Sequence, residues 1–214
     1  MEKSEEPAFN APPVTKYLVA TLIGVHILLL VTEPATRDWF YANLSFDIAT
    51  STAILQTPTG GGIAALFFTA TSHMFLHDDF MHLLINAFML LAFGAMVERH
   101  FGVATFISLF LLCGWAGAFS EYFVSYDAGG GYLYGASGAV FGMMGATMRL
   151  MFPKYGLQKV VAFAAVMMGV NLVIGLSPLG QMLTGGDATI SWAAHLGGFV
   201  AGGALSLLFR PDPV

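Results

Sequence analysis

Gly135-Ala136-Ser137-Gly138 opens one strongly apolar run of this chain, and Ala194-His195-Leu196-Gly197-Gly198-Phe199-Val200-Ala201-Gly202 lies inside another. Hydrocarbon penalises an imidazole, so a histidine within such a run is by default a functional candidate. A serine beside glycines on a second run is the natural partner for a nucleophile–base pair. Together they point to proteolysis inside a membrane.

The composition around them agrees. Of 214 residues, 57% are hydrophobic and only 10% charged, with a mean hydropathy of +0.74. Water-soluble domains carry roughly 25% charged residues, so the starting class is an all-α, multi-span membrane protein. A net charge of −5 without any basic block excludes nucleic acid as a partner. The single cysteine, Cys113, excludes an intrachain disulfide. The stretch Met1–Pro13 is acidic and proline-bearing, unlike a signal or transit peptide. With no targeting segment ahead of the first span, the expected location is a prokaryotic cytoplasmic (inner) membrane.

Six apolar segments are expected, at about 16–32, 80–97, 102–124, 136–151, 159–176 and 190–209. They divide the chain into a tail (1–15), a six-helix domain (16–209) and a second tail (210–214). Arg149 and Lys154 close the fourth segment early. A helix of about sixteen residues rises roughly 24 Å, less than the roughly 30 Å hydrocarbon core. Its start, at Ser137, is therefore expected below one membrane face. The glycine-rich stretch 127–134 before it is then tolerable only against protein or a water-filled cavity, which hydrolysis needs. With the N-terminus cytoplasmic, seven of the eight Lys and Arg residues fall on the cytoplasmic side and only Arg37 outside. That asymmetry predicts that both termini are cytoplasmic. The first external segment, 33–79, reads as a long loop; Trp39, Phe40 and Tyr41 suggest that it lies in the interface.

Each candidate has a plainer reading. Ser137, Gly138, Gly142 and Gly145 form a stripe that could serve only close helix packing. His195 could simply bond a carbonyl. Gly198 and Gly202 share its helical face, however, and two smooth glycine faces would bring Ser137 and His195 side by side. Phe141, one turn after Ser137, could stack on the imidazole. No acid within the spans completes a triad; Asp187, eight residues before His195, is better read as a solvated loop carboxylate. A dyad suffices for the chemistry, with histidine taking the serine proton and returning it to the leaving amine. His82 and Asn86, one turn apart, could donate to an oxyanion with the Ser137 backbone N–H; interhelical polar bonding is the alternative. His73 and His77 have i, i+4 ligand spacing for a helix, but the His-Glu-x-x-His zinc pattern is absent. No metal is expected.

These motifs, in this order, resemble the rhomboid family of intramembrane serine proteases over roughly residues 16–209. Gly135-Ala136-Ser137-Gly138 is similar to its Gly-x-Ser-Gly motif, and Ala194-His195-x-x-Gly198-x-x-x-Gly202 to its Ala-His-x-x-Gly-x-x-x-Gly motif. His77-x-x-x-x-His82-x-x-x-Asn86 resembles the second-helix motif, and Glu98-Arg99-His100-Phe101-Gly102 the segment after it. The resemblance implies a six-transmembrane-helix bundle with a long interfacial first loop dipping into the membrane. It implies Ser137 as nucleophile, His195 as base, and His82 and Asn86 in the oxyanion hole. His77 would be structural or line the cavity, and Phe141 would replace a tyrosine that some members set against the histidine. It also implies a mobile fifth helix and last loop admitting a transmembrane substrate sideways, cleavage after a small residue, and no metal or organic cofactor. Many bacterial members carry Trp-Arg in the first loop where this chain has Phe68-Thr69.

The reading is a serine endopeptidase whose partners are transmembrane protein substrates and membrane lipid. Its rival is a non-cleaving rhomboid-like binder or quality-control protein, a class that typically lacks the serine or the histidine. A small transporter would show repeat symmetry and midplane charges, which this chain lacks.

Overall fold

The computed structural model describes residues 11–128, 131–177 and 190–211. The first helix, α1 (Pro13–Val31), buries Thr15, Val19, Leu22, His26 and Leu29. Spacings of four and three put these on one stripe, while Ile23, Ile27, Leu28, Leu30 and Val31 stay exposed. A helix that is apolar on its outer face as well is suited to lipid rather than water. Glu98 holds its start, accepting from the backbone N–H of Val14 (3.0 Å) and Thr15 (2.6 Å) and from the Thr15 hydroxyl (2.7 Å). These are helix N-terminal donors that would otherwise lack partners.

The segment 33–79 is not the irregular loop its sequence suggests. It contains α2 (Pro34–Leu44), α3 (Ile48–Gln56), α4 (Gly60–Ser72) and a 3₁₀ turn, His73–Phe75. A two-residue strand, β1 (Phe46–Asp47), pairs antiparallel with β2 (Tyr132–Leu133). Asp47 caps α3, accepting from the N–H of Ala49 and Thr50, and Thr59 caps α4.

The next runs are α5 (Phe80–Met89), a π turn (Leu90–Gly94) and α6 (Ala95–Ser125). Gly102, at φ 77°, breaks α6 into a short first piece and a long second one. Phe67 of α4 meets Trp115 and Phe119 of α6 edge-on at 5.0 and 5.9 Å, and the Trp115 indole donates to the Thr71 hydroxyl at 2.9 Å. The segment 33–79 is thereby anchored to the bundle through aromatics.

At the centre stands α7 (Ser137–Tyr155), buried at every position from Gly138 to Met148. It runs past Arg149, where the sequence suggested a stop. The Arg149 guanidinium lies over Phe101 (5.7 Å) and donates to the carbonyls of Ser206 and Phe209, so its charge is met by a helix C-terminus. Gly156, at φ 77°, then turns the chain into α8 (Leu157–Gly175). The last helix is α9 (Trp192–Ser206).

Among the described residues, three helical runs, Pro13–Val31, Phe80–Ser125 and Leu157–Gly175, are long and apolar enough to cross a membrane. The protein is thus an all-α, multi-pass integral membrane protein.

Candidate active site

Ser137 is the first residue of α7, at the helix end whose free N–H groups favour negative charge. Gly135, two residues earlier, has φ 112°, a conformation glycine accepts readily. A Cβ there would also lie 2.6 Å from Cε1 and Nε2 of His82. Both the backbone turn and the imidazole above it require glycine. The Gly135 N–H donates to the His73 carbonyl at 2.9 Å, tying the loop before Ser137 to the 3₁₀ turn.

His195 comes to α7 through glycine. A Cβ on Gly198 would fall 1.9 Å from the Gly138 carbonyl oxygen, and one on Gly202 equally close to that of Gly142. Gly145 faces the Phe199 carbonyl in the same way. Backbone contact this close is what small-residue stripes permit between membrane helices. A further glycine, Gly117 of α6, packs against the Gly138 Cα and the Ala194 carbonyl; it was not marked in the sequence. In this frame the His195 ring stacks flat on Phe141, with centroids 4.3 Å apart and planes 5° from parallel. Phe141 is one turn beyond Ser137, so the imidazole and the serine share one side of α7. Ser191 caps α9, accepting from the Ala194 N–H while its hydroxyl donates to Glu121.

One residue at the site went unread in the sequence. Asn171 of α8 places Oδ1 2.5 Å from His195 Nδ1, and its Nδ2 donates to the Trp192 carbonyl at 3.2 Å. The available signal was a lone amide in the apolar run 160–176. Asp187, weighed as a third member, lies outside the described residues.

On the other side of Ser137, His82 Nδ1 lies 2.8 Å from the Asp78 carboxylate. Burial opposes ionisation of Asp78, but its bond and charge interaction with His82 and nearby backbone N–H groups outweigh this and hold its carboxyl below the usual range. Asn86 is buried and donates from Nδ2 to the His82 carbonyl at 2.9 Å. That spends one amide hydrogen and leaves the second. His77 lies in the turn before α5, beyond the 3₁₀ turn that holds His73. The two therefore do not share a helix face, and the i, i+4 ligand reading fails. Burial, with His82 and His26 nearby, lowers the His77 pKa to about 3. It is a neutral scaffold group: its carbonyl accepts from His26 Nδ1 (3.0 Å) and the Tyr41 hydroxyl (2.6 Å), and its ring approaches the Ala136 N–H at 3.5 Å.

A cavity of about 620 Å³, lined by His26, Tyr41, His77, Asp78, Tyr132 and Tyr134, opens beside this cluster. It borders the site through His77 and Asp78, while Ser137 and His195 are not among its walls. Asp78, Asp79 and His82 bring three possible ligand atoms within 4.8 Å of one another. His82 and Asp79 are already committed there, to the Asp78 contact and to capping α5.

Residues 64–212 match the Rhomboid domain family. RHOMBOID-like protein 4 of Arabidopsis thaliana is 35% identical over 141 residues, which is 64% of this chain and 33% of that protein. RHOMBOID-like protein 5 of the same plant is 30% identical over 143 residues, 66% of this chain and 44% of that protein. Rhomboid protease GluP of Bacillus subtilis (strain 168) is 28% identical over 130 residues, 59% of this chain and 23% of that protein. The chain thus spans less than half the length of each of these relatives. With its helical bundle and a match covering well over half its length, the chain belongs to the rhomboid family.

Proposed function

We propose that this protein is an intramembrane serine endopeptidase that cleaves peptide bonds in or near the transmembrane helices of membrane-protein substrates. Six helical runs serve as its spans: α1, the α5 run to Gly102, the rest of α6, α7, α8 and α9. The observation that carries the reading is the flat stack of His195 on Phe141, one turn from Ser137, across glycine-packed α7 and α9.

Ser137 Oγ attacks the scissile carbonyl as its proton passes to His195 Nε2. The new oxyanion meets the Ser137 backbone N–H, the His82 ring and the second amide hydrogen of Asn86. The carbon–nitrogen bond then breaks, the imidazolium protonates the departing amine, and an acyl-serine remains. Water, deprotonated by His195, attacks that ester; the bond to Ser137 Oγ breaks, the imidazolium returns the proton to Oγ, and the new C-terminal carboxyl group departs. The reaction draws its water from the polar end of the bundle, where the cavity opens. A substrate helix must unwind at the cut, so glycine or proline near it favours cleavage.

The test is a fluorophosphonate serine probe on the purified protein in detergent and in liposomes, beside Ser137→Ala and His195→Ala. Labelling of the parent and its loss in both variants is the expected result. A folded parent that stays unlabelled in both environments would replace the protease with a non-cleaving binder of transmembrane helices.

A further inference from the structure

We infer that Asn171 is a positioning residue for the base, fixing the tautomer of His195, so that the working unit is a Ser137–His195–Asn171 triad. This rests on the protease reading above. The helix that carries Asn171 touches the bundle sparingly: only Val160 and Asn171 are buried on α8, while Val161, Val166, Val170 and Val173 are exposed. A lone amide turned inward from such a helix must find partners, because a buried polar group without them is costly. Both polar atoms of Asn171 are engaged.

The bonds assign the hydrogens in sequence. The Trp192 carbonyl can only accept, so the Asn171 NH₂ must face it. That turns Oδ1 to the imidazole, and an amide oxygen also only accepts. His195 Nδ1 must then carry a hydrogen, which in the neutral ring leaves the lone pair on Nε2. This is the tautomer able to take a proton from Ser137. The same bond persists when the ring becomes an imidazolium, and a neutral amide achieves it without burying a further charge. Phe141 fixes the plane of the ring and Asn171 its rotation within that plane. The base is thereby linked to the docking of α8, since a hydrogen bond of this kind is lost once the helices separate by about an ångström.

A plainer role would be docking α8 onto α9 without any effect on the imidazole. The full chain, labelled with ¹⁵N-histidine, separates the two. His195 resonances are assigned by their absence in His195→Gln, and the fluorophosphonate labelling rate is followed in parallel. The parent is expected to show the Nδ1–H tautomer. Asn171→Leu should give a mixture of tautomers and label roughly 10- to 100-fold more slowly. Asn171→Asp keeps an acceptor for Nδ1–H while replacing the donor to Trp192 with a carboxylate charge, and should restore the tautomer and most of the rate. Should the leucine variant not fold, Asn171→Ser, too short to reach the ring, carries the same comparison. Unchanged tautomer and rate without the acceptor would overturn the proposal. So would an aspartate variant as impaired as the leucine one. An unlabelled parent whose tautomer still depends on Asn171 would instead refute the protease reading and leave the positioning role standing.

Discussion

Phe141 and Gly135 act on the two histidines by opposite means. Phe141 supports His195 by contact, with its ring parallel to the imidazole at 4.3 Å. Gly135 accommodates His82 by having no side chain, since a Cβ would stand 2.6 Å from the ring. Aromatic pairs of this kind contribute about 0.5–1.5 kcal/mol beyond their buried area. Phe141→Ala should therefore slow probe labelling about 2- to 10-fold, whereas Phe141→Tyr, which keeps the stack, should label at nearly the parent rate. Equal rates in all three proteins would show that the stack does not hold the base. That Phe141 could face His195 was readable from its spacing to Ser137. Asn171 was not readable in the same way. A single amide in an apolar run has no periodic partner to mark it, and its role depends on a helix 21 residues further on. The i, i+4 spacing of His73 and His77 carries no ligand pair for another reason: the 3₁₀ turn at His73–Phe75 ends the helical register before His77.

Among the elements, the apolar runs at 16–32 and 159–176 lie within three residues of α1 and α8, because continuous hydrophobicity over that length leaves few alternatives to a helix. The helices within 33–79 were illegible. At 11, 9 and 13 residues they are short; α3 and α4 start at side-chain caps, and α4 is anchored through aromatics on α6. These contacts appear only once Trp115 and Phe119 are placed beside Phe67. The glycines of α9 were legible as a stripe, and their environment ranks them. The three atoms nearest a Cβ on Gly202 would all be Gly142 backbone atoms, at 1.9 to 2.8 Å, whereas Gly24 of α1 has nothing within 4 Å. Side chains can rotate away, but a carbonyl on the central helix can move only with that helix. Gly202→Ala should lower stability by about 1–3 kcal/mol or more, seen as a reduced thermal midpoint in detergent, and should slow labelling by moving His195 from α7. Gly24→Ala should be neutral or stabilising by up to about 1 kcal/mol. Equal midpoints for the two variants would rule out backbone contact as the force joining α7 and α9.

Taken whole, the molecule has two unlike ends. At one, Glu98 holds the start of α1, and Arg149 joins Phe101 to the end of α9. Lys16, Arg99, Lys154, Lys159 and Arg210 flank the same helix ends in sequence. At the other, His26, Tyr41, His77 and Asp78 surround the cavity beside the site, and α7, α9 and the end of α8 meet around Ser137, His195 and Asn171. Positive charge is retained on the cytoplasmic side of membrane proteins, so the basic end should face the cytoplasm and the site should open to the opposite face. Exposed positions allow this to be measured. On a Cys113→Ala background, Asp38→Cys of α2 and Lys154→Cys of α7 can be treated with a membrane-impermeant maleimide on intact cells and again after permeabilisation. Asp38→Cys should react before permeabilisation and Lys154→Cys only afterwards. The reverse pattern would place the site on the cytoplasmic face. Reaction of both from outside would require an even number of crossings between α2 and the end of α7, and would break the alternation by which α5, α6 and α7 carry the chain from the site end to the basic end.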